Sequence, residues 1–177
     1  MKSILLFLFV VIQFSCVHVL PDEELTMTRT SYTGKEFRID GYYVGTTNYG
    51  ISEKNYNSYK FFYSNGLVFS SFSYDINKKI PDINEIIANM ERYRDSKDLW
   101  EVFQLENNVI HTQGWGNSGT VFGEYRLYSL VNQYYKIIND TTILYEKSTG
   151  YYSGNYNEYY YFKKFSPKPD STNIFIK

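Results

Sequence analysis

Residues 59–74, YKFFYSNGLVFSSFSY, constrain this chain more than any other stretch. Two runs dense in aromatic and β-branched side chains flank Asn65 and Gly66. Such runs suit a pleated, half-buried surface. Asn and Gly both tolerate positive φ, so the pair is expected to form a tight type I′ hairpin turn. Residues 67, 69, 71 and 73 fall on one face, and 68, 70, 72 and 74 on the other. Both faces mix apolar and polar groups, so periodicity does not say which points inward.

The segments after Lys35 read as further strands of the same antiparallel sheet. Residues 37–44 place Phe37, Ile39, Gly41 and Tyr43 on one face. Residues 45–57 are polar and read as a loop. After Pro81 the period changes. Ile83, Ile86, Ile87, Met90 and Arg94 follow helical spacing, and Asp82 with Glu85 has the form of a reciprocal capping pair. A helix over residues 82–94 is expected to cover one end or edge of the sheet. Strands resume at Leu99. Asn107 and Asn108 read as a short turn into a strand over residues 109–115. Gly114, Gly116 and Gly119 read as turn chemistry that exposes the Trp115 indole. Residues 121–131 form a long strand, and 133–138 continue it after a bend. Asn139 and Asp140 mark another turn. Residues 141–147 and 158–165 are the last strands, with a hairpin tip over 148–157, and Pro167 and Pro169 end the series. The fold class is all-β: about eight strands in an antiparallel meander, closed as a barrel or curled as a sheet, with one helix after the third strand. Such closure leaves few exposed edges.

The start of the chain reads separately. Lys2 precedes an apolar run over residues 4–12, ILLFLFVVI, which is shorter than the roughly 20 residues a membrane span takes. A secretory leader over residues 1–15 explains it. Cys16 is the sole cysteine, so no disulfide can form within the chain. Its place directly after the leader resembles a bacterial lipoprotein signal, although Gln13 stands where that pattern carries Leu. The resemblance implies that Cys16 is acylated. Residues 16–34 then serve as a lipidated tether, 35–166 form the domain and 167–177 a C-terminal tail.

Composition narrows function by exclusion. There are 18 basic and 19 acidic residues, and such a balance does not suit a polyanion, so nucleic acid is not an expected partner. The 20 tyrosines fit ordinary strand composition, since a tyrosine packs its ring inward and leaves its hydroxyl at water. A glycan-binding or membrane-facing surface is the alternative.

Catalytic chemistry finds little support. His18 lies in the tether. His111 lacks the companions of a zinc site and reads as a hydrogen-bonded or surface histidine. No nucleophile elbow surrounds any serine. Asp40, Glu101, Glu106, Glu124 and Glu158 could in principle pair as glycosidase carboxylates. Each reads more simply as a solvent-side residue on an alternating strand. Phosphate, dinucleotide and calcium loops are missing. No catalytic residue, cofactor or metal is expected.

Several stretches carry a family likeness. RIDGYY at residues 38–43, FFYSNGLVF at 61–69, WEVFQLENNVIH at 100–111, NDTTILYEKS at 139–148 and FKKFSPKPDSTNIFI at 162–176 resemble small lipoproteins of Bacteroidetes. That resemblance implies a lipocalin-like or calycin-like barrel with a possible internal cavity. It also implies a cell-envelope location, lipid-anchored at the outer membrane. No Gly-x-Trp opens the first strand, so lipocalin ligand binding enters only as an analogy of fold. The expected function is therefore a non-enzymatic envelope lipoprotein that binds a small apolar or glycan ligand in or at the mouth of the barrel. Trp100, Trp115, Tyr125, Tyr151, Tyr152 and Tyr156 are the candidate ligand-binding residues. The alternatives are an accessory lipoprotein for an envelope protein partner and, behind it, an envelope hydrolase.

Overall fold

A computed structural model describes residues 18–48, 55–73, 83–121 and 124–177. The strands are β1 (His18–Val19), β2 (Gly41–Asn48), β3 (Asn55–Phe62), β4 (Leu67–Ser73), β5 (Trp100–Glu106), β6 (Val109–Val121), β7 (Glu124–Asn139), β8 (Thr142–Gly150) and β9 (Gly154–Lys164). Helix α1 (Ile83–Tyr93) and a 3-10 turn at Lys97–Leu99 separate β4 from β5. Strands β2 to β9 pair antiparallel in sequence order. Then β9 pairs back onto β2, from Gly41 opposite Lys164 to Gly45 opposite Tyr160. The result is a closed eight-stranded antiparallel barrel of lipocalin-like form, with the helix after its third strand. Strand β1 adds parallel to β7, with His18 opposite Glu124.

The chain buries both faces of β2 to β5. Inside the barrel, Tyr43, Phe62, Val68, Phe103, Ile110, Ile137 and Ile143 pack with Tyr32 and Phe37. Phe37 stands edge-on to Phe62 at 5.2 Å and to Phe103 at 6.0 Å, plugging that end. The Tyr43 hydroxyl seals the same end, donating to the Asp140 carbonyl at 3.0 Å and accepting from the Arg38 N–H at 3.1 Å. Outside the barrel, Tyr42, Tyr59, Phe61, Phe69, Trp100 and Val102 form a second core. Ile86 and Met90 of α1 cover it, joined by Ile176 from the C-terminal segment and by Leu25 and Met27 from the N-terminal one. Each such buried side chain contributes about 1.5–3 kcal/mol. This double covering explains why residues 67–74 read as two mixed faces.

Several elements differ from the sequence reading. Among the described non-glycine residues positive φ occurs at Asn107 (49°) and Asn108 (65°), not at Asn65. The type I′ geometry therefore belongs to the β5–β6 turn. At the 59–74 hairpin Gly66 alone is left-handed, with φ 83°. Gly66 N–H bonds the Tyr63 carbonyl and Tyr63 N–H bonds Leu67, which makes a longer loop closed by a bulge. Strands β2 and β3 extend to Asn48 and from Asn55, so residues 45–48 and 55–57 of the expected loop are strand, and 49–54 lie outside the described residues. Strand β6 runs straight through Gly114, Gly116 and Gly119, and Trp115 is buried rather than displayed. Asp82, half of the expected capping pair, lies outside the described residues, as does Cys16.

Residues 20–34, expected as part of a tether, pack along the barrel. Between β1 and β8, residues 126–130 of β7 have no strand beside them on that edge, and this segment satisfies it. Asp22 Oδ1 accepts the Tyr128 N–H at 3.1 Å, and Glu23 Oε2 accepts the Leu130 N–H at 2.6 Å. Acidic side chains here do what a neighbouring strand would do.

Candidate functional site

Above the plug, inward-facing positions turn polar. Strand alternation carries Lys60 on β3, Ser70 on β4, Glu101 on β5 and Gln133 on β7 to one place. Lys60 Nζ donates to Ser70 Oγ at 2.8 Å, to Glu101 Oε1 at 2.7 Å and to Gln133 Oε1 at 2.9 Å. Strands β3 and β7 are not neighbours, so the last bond crosses the interior. Ser70 Oγ also donates to Glu101 Oε1, and the Tyr135 hydroxyl donates to Gln133 Oε1 at 2.8 Å. The Lys60 and Glu101 side chains are 3% and 9% exposed. Glu101 was expected on the solvent side; the structure overturns that.

Burial alone would push the Glu101 carboxyl up. The charge of Lys60, with hydrogen bonds from Lys60, Ser70 and Thr112, overcomes burial and holds it below the usual range. The carboxylate therefore stays ionised at neutral pH. All three ammonium protons of Lys60 are engaged. Glu101 Oε2 and the Thr112 hydroxyl are both buried from water, and Thr112 bonds the carboxylate from the next strand.

Glycines on neighbouring strands make room for this cluster. A Cβ on Gly114 would lie 2.7 Å from Glu101 Cγ and 2.9 Å from the Trp100 carbonyl oxygen. A Cβ on Gly116 would lie 2.6 Å from the Tyr152 ring and 2.9 Å from Val131. Glycine on β6 thus serves the barrel's interior rather than a turn.

Between the polar cluster and the mouth lies a cavity of about 850 Å³. Its wall includes Ser58, Phe72, Val131, Tyr135, Tyr145, Tyr156 and Tyr160. Three rings line up along it. Tyr156 stacks on Tyr145 at 4.3 Å, and Tyr145 on Tyr135 at 4.9 Å, leading from the mouth toward Gln133. Phe72, Tyr151 and Tyr152 stand half-exposed at the rim. The Tyr152 hydroxyl donates to the Asn117 carbonyl at 2.8 Å, and the Tyr151 hydroxyl to the Ser118 carbonyl. These bonds fix the β8–β9 turn across the end of β6.

The structure gathers four of the six candidate ligand residues at this cavity: Tyr151, Tyr152 and Trp115 at the rim, and Tyr156 in the wall. Trp115 borders the rim, but its ring belongs to the outer core. Its N–H donates to the Glu23 carbonyl at 2.7 Å, and Lys97 Nζ sits 4.5 Å over the ring. Trp100 lies in the outer core too, 5.0 Å from Phe69, with its N–H on the Arg94 carbonyl. Tyr125 is opposite Thr120 of β6 and Val19 of β1.

Lys60, Ser70, Gln133, Tyr135, Tyr145 and Tyr160 were missed, and Glu101 was weighed only as a glycosidase carboxylate. Their signal was a charged residue inside an aromatic strand, YKFF and WEVF, which is uncommon unless the charges meet. His111 points away from this cluster. It stacks on Tyr134 at 4.4 Å and lies 3.0 Å from Asn132 Oδ1, as a hydrogen-bonded histidine. Among the described residues, no group of three or more His, Cys, Asp or Glu side chains is placed to hold a metal ion.

No protein-family profile, curated protein or solved structure was found to match this chain.

Proposed function

We propose that this protein is a binding module that holds a small ligand inside its barrel, without chemistry of its own. One observation carries the reading: a closed barrel leaves about 850 Å³ open above a sealed floor. That volume falls within the range of small-molecule sites, roughly 300–1,000 Å³. The wall is mostly tyrosine ring, with one polar cluster at depth, a composition that suits such sites. Lys60 is fully bonded and His111 faces elsewhere, so neither is arranged as a general base for a ligand in the cavity.

The test is titration with a neutral, environment-sensitive aromatic dye such as N-phenylnaphthylamine. Saturable binding of one dye per chain is the expected result. Val131→Trp places an indole in the cavity and is expected to weaken binding at least about tenfold, or 1.4 kcal/mol. Binding that survives Val131→Trp in a folded protein would put the dye on the outer surface and contradict the reading.

The leader and Cys16 support a location in the cell envelope, with the barrel anchored through an acylated cysteine. Acyl chains add about 0.8 kcal/mol of membrane affinity per buried methylene. Cys16→Ala is expected to move the protein from the membrane to the soluble fraction. Unchanged fractionation would overturn the anchor.

A second reading has one observation in its favour. Tyr159 and Tyr161 stand 43% and 55% exposed on the outer face of β9, where neither α1 nor the C-terminal segment covers the barrel. An accessory role toward an envelope protein would use that wall, and Tyr159→Ser with Tyr161→Ser would abolish it without affecting dye binding.

A further inference from the structure

We infer that the mouth of the barrel faces the lipid bilayer, so that the cavity opens onto the membrane that holds the acyl chains of Cys16. This rests on the acylated Cys16 and the ligand cavity proposed above, and adds which end of the barrel meets the lipid.

The direction of the N-terminal segment carries the inference. Strand β7 runs from the mouth to the closed end. Tyr128 is opposite Asn117, whose carbonyl accepts the Tyr152 hydroxyl at the rim, and Ile137 packs in the inner core that Phe37 plugs. The N-terminal segment runs the same way beside it. Asp22 and Glu23 accept the Tyr128 and Leu130 N–H groups at rim height. Further down, the Thr26 and Met27 N–H groups both donate to Gln113 Oε1 at 2.8 Å. At the closed end the Tyr32 N–H donates to the Ser64 carbonyl at 2.8 Å. The chain therefore comes onto the barrel at its mouth. Strand β1 extends this path, with His18 opposite Glu124, farther from the floor than Tyr128.

Reach then decides which end meets the membrane. Cys16 lies six positions before Asp22, a link of at most about 22 Å. From Tyr128 to Asn139, β7 runs roughly 36 Å along its length, or about 28 Å of barrel height at the usual strand tilt. A bilayer within reach of Cys16 meets the mouth before the floor.

The rim has the chemistry of a surface that meets lipid. Phe72, Leu127, Tyr151 and Tyr152 all stand exposed there. Leu127 sits between Arg126, opposite Gly119, and Tyr128, opposite Asn117, on the part of the β6–β7 hairpin that rises past the cavity. Tyrosine suits the boundary between acyl chains and water. The hydroxyls of Tyr151 and Tyr152 are already engaged by the Ser118 and Asn117 carbonyls, so their rings can leave water without stranding a polar group. At the closed end the exposed turn residues are Glu106, Asn107, Asn108, Asn139 and Asp140, polar groups that hold water, with Ile138 beside them. With the mouth on the bilayer, a lipid-soluble guest passes between membrane and cavity without crossing bulk water.

Site-specific labels test the orientation in the acylated protein, on phosphatidylcholine vesicles that carry a nitroxide on the head group. With Cys16 acylated, an added cysteine is the sole free thiol. Bimane is attached through Ser153→Cys at the rim, Glu106→Cys at the closed end or Lys163→Cys on the outer face of β9, all exposed positions. Quenching is expected to be at least about threefold stronger at position 153 than at 106 or 163, because the ends lie a strand's length apart. Equal quenching at all three positions, or the strongest at 106, in protein that pellets with the vesicles would overturn the inference and leave the acyl anchor standing. The strongest quenching at 163 would overturn it in favour of a barrel lying on its Tyr159 and Tyr161 wall. Protein that stays in solution, or Cys16 that itself takes up bimane, would overturn the anchor and the inference together. Dye titration of soluble Cys16→Ala protein reads the cavity separately, so loss of the ligand reading is distinguished from loss of the orientation.

Discussion

Lys60 and Glu101 are each tolerable only because the other is there. At 2.7 Å in a site closed to water, the pair offsets two desolvation costs, and Ser70 and Gln133 complete the ammonium's shell. Removing one partner leaves a buried charge alone, which costs about 3–5 kcal/mol, whereas replacing both by apolar groups is often neutral. Glu101→Leu should therefore lower unfolding free energy in urea by about that amount, and Lys60→Met should restore most of it. Additive losses in the double variant would mean the two charges do not depend on each other. At this scale the sequence misled for a physical reason. A glutamate between Trp100 and Val102 alternates as a solvent-side residue should, yet β5 has no solvent side. Trp100 and Val102 face the outer core, and Glu101 and Phe103 face the interior.

Strands and turns were legible wherever backbone chemistry was local. The 59–74 hairpin forms as its aromatic runs and Gly66 require, with Phe62 opposite Val68 and Asn57 opposite Ser73. The type of turn was not legible there, because Asn65 does not use its left-handed option and the Asn107 and Asn108 pair does. Gly66 carries two constraints together: φ is 83°, and a Cβ would lie 2.1 Å from the Thr30 carbonyl oxygen. Gly66→Val should cost about 2 kcal/mol or more, since a side chain at left-handed φ alone costs roughly 1–2 kcal/mol. Asn107→Gly, at the other hairpin, should be close to neutral because glycine accepts positive φ freely. Equal melting temperatures for Gly66→Val and the unaltered protein would show that the turn is drawn wrongly. The glycines of β6 were read as a turn because sequence cannot distinguish glycine that bends a chain from glycine that clears space for a side chain on the next strand.

The whole molecule is a barrel wrapped on one side. Its closure, β9 against β2, joins segments more than a hundred residues apart, and local pattern suggests such a pairing only through strand count. The tyrosines make this architecture sensitive to alkali. Burial pushes the phenols of Tyr43, Tyr59, Tyr63, Tyr135 and Tyr145 above their ordinary value of 10.0. In the unfolded chain they ionise near that value, so above it the folded state holds more protons. Their contribution is complete below pH 10 and is lost as pH rises toward the folded values. Melting temperature should fall steeply between about pH 10 and pH 12, with phenolate absorbance of the buried set rising together with unfolding. Full phenolate absorbance in a protein that keeps its strand signal would contradict the burial described here.

The hollow interior above the Lys60 and Glu101 pair is the claim on which the functional reading stands, and a crystal soaked with bromonaphthol tests it most directly. The anomalous signal of bromine is expected inside the barrel, among Phe72, Val131 and Tyr156. Bromine found only on the outer wall, with side chains filling the space above Glu101, would contradict it.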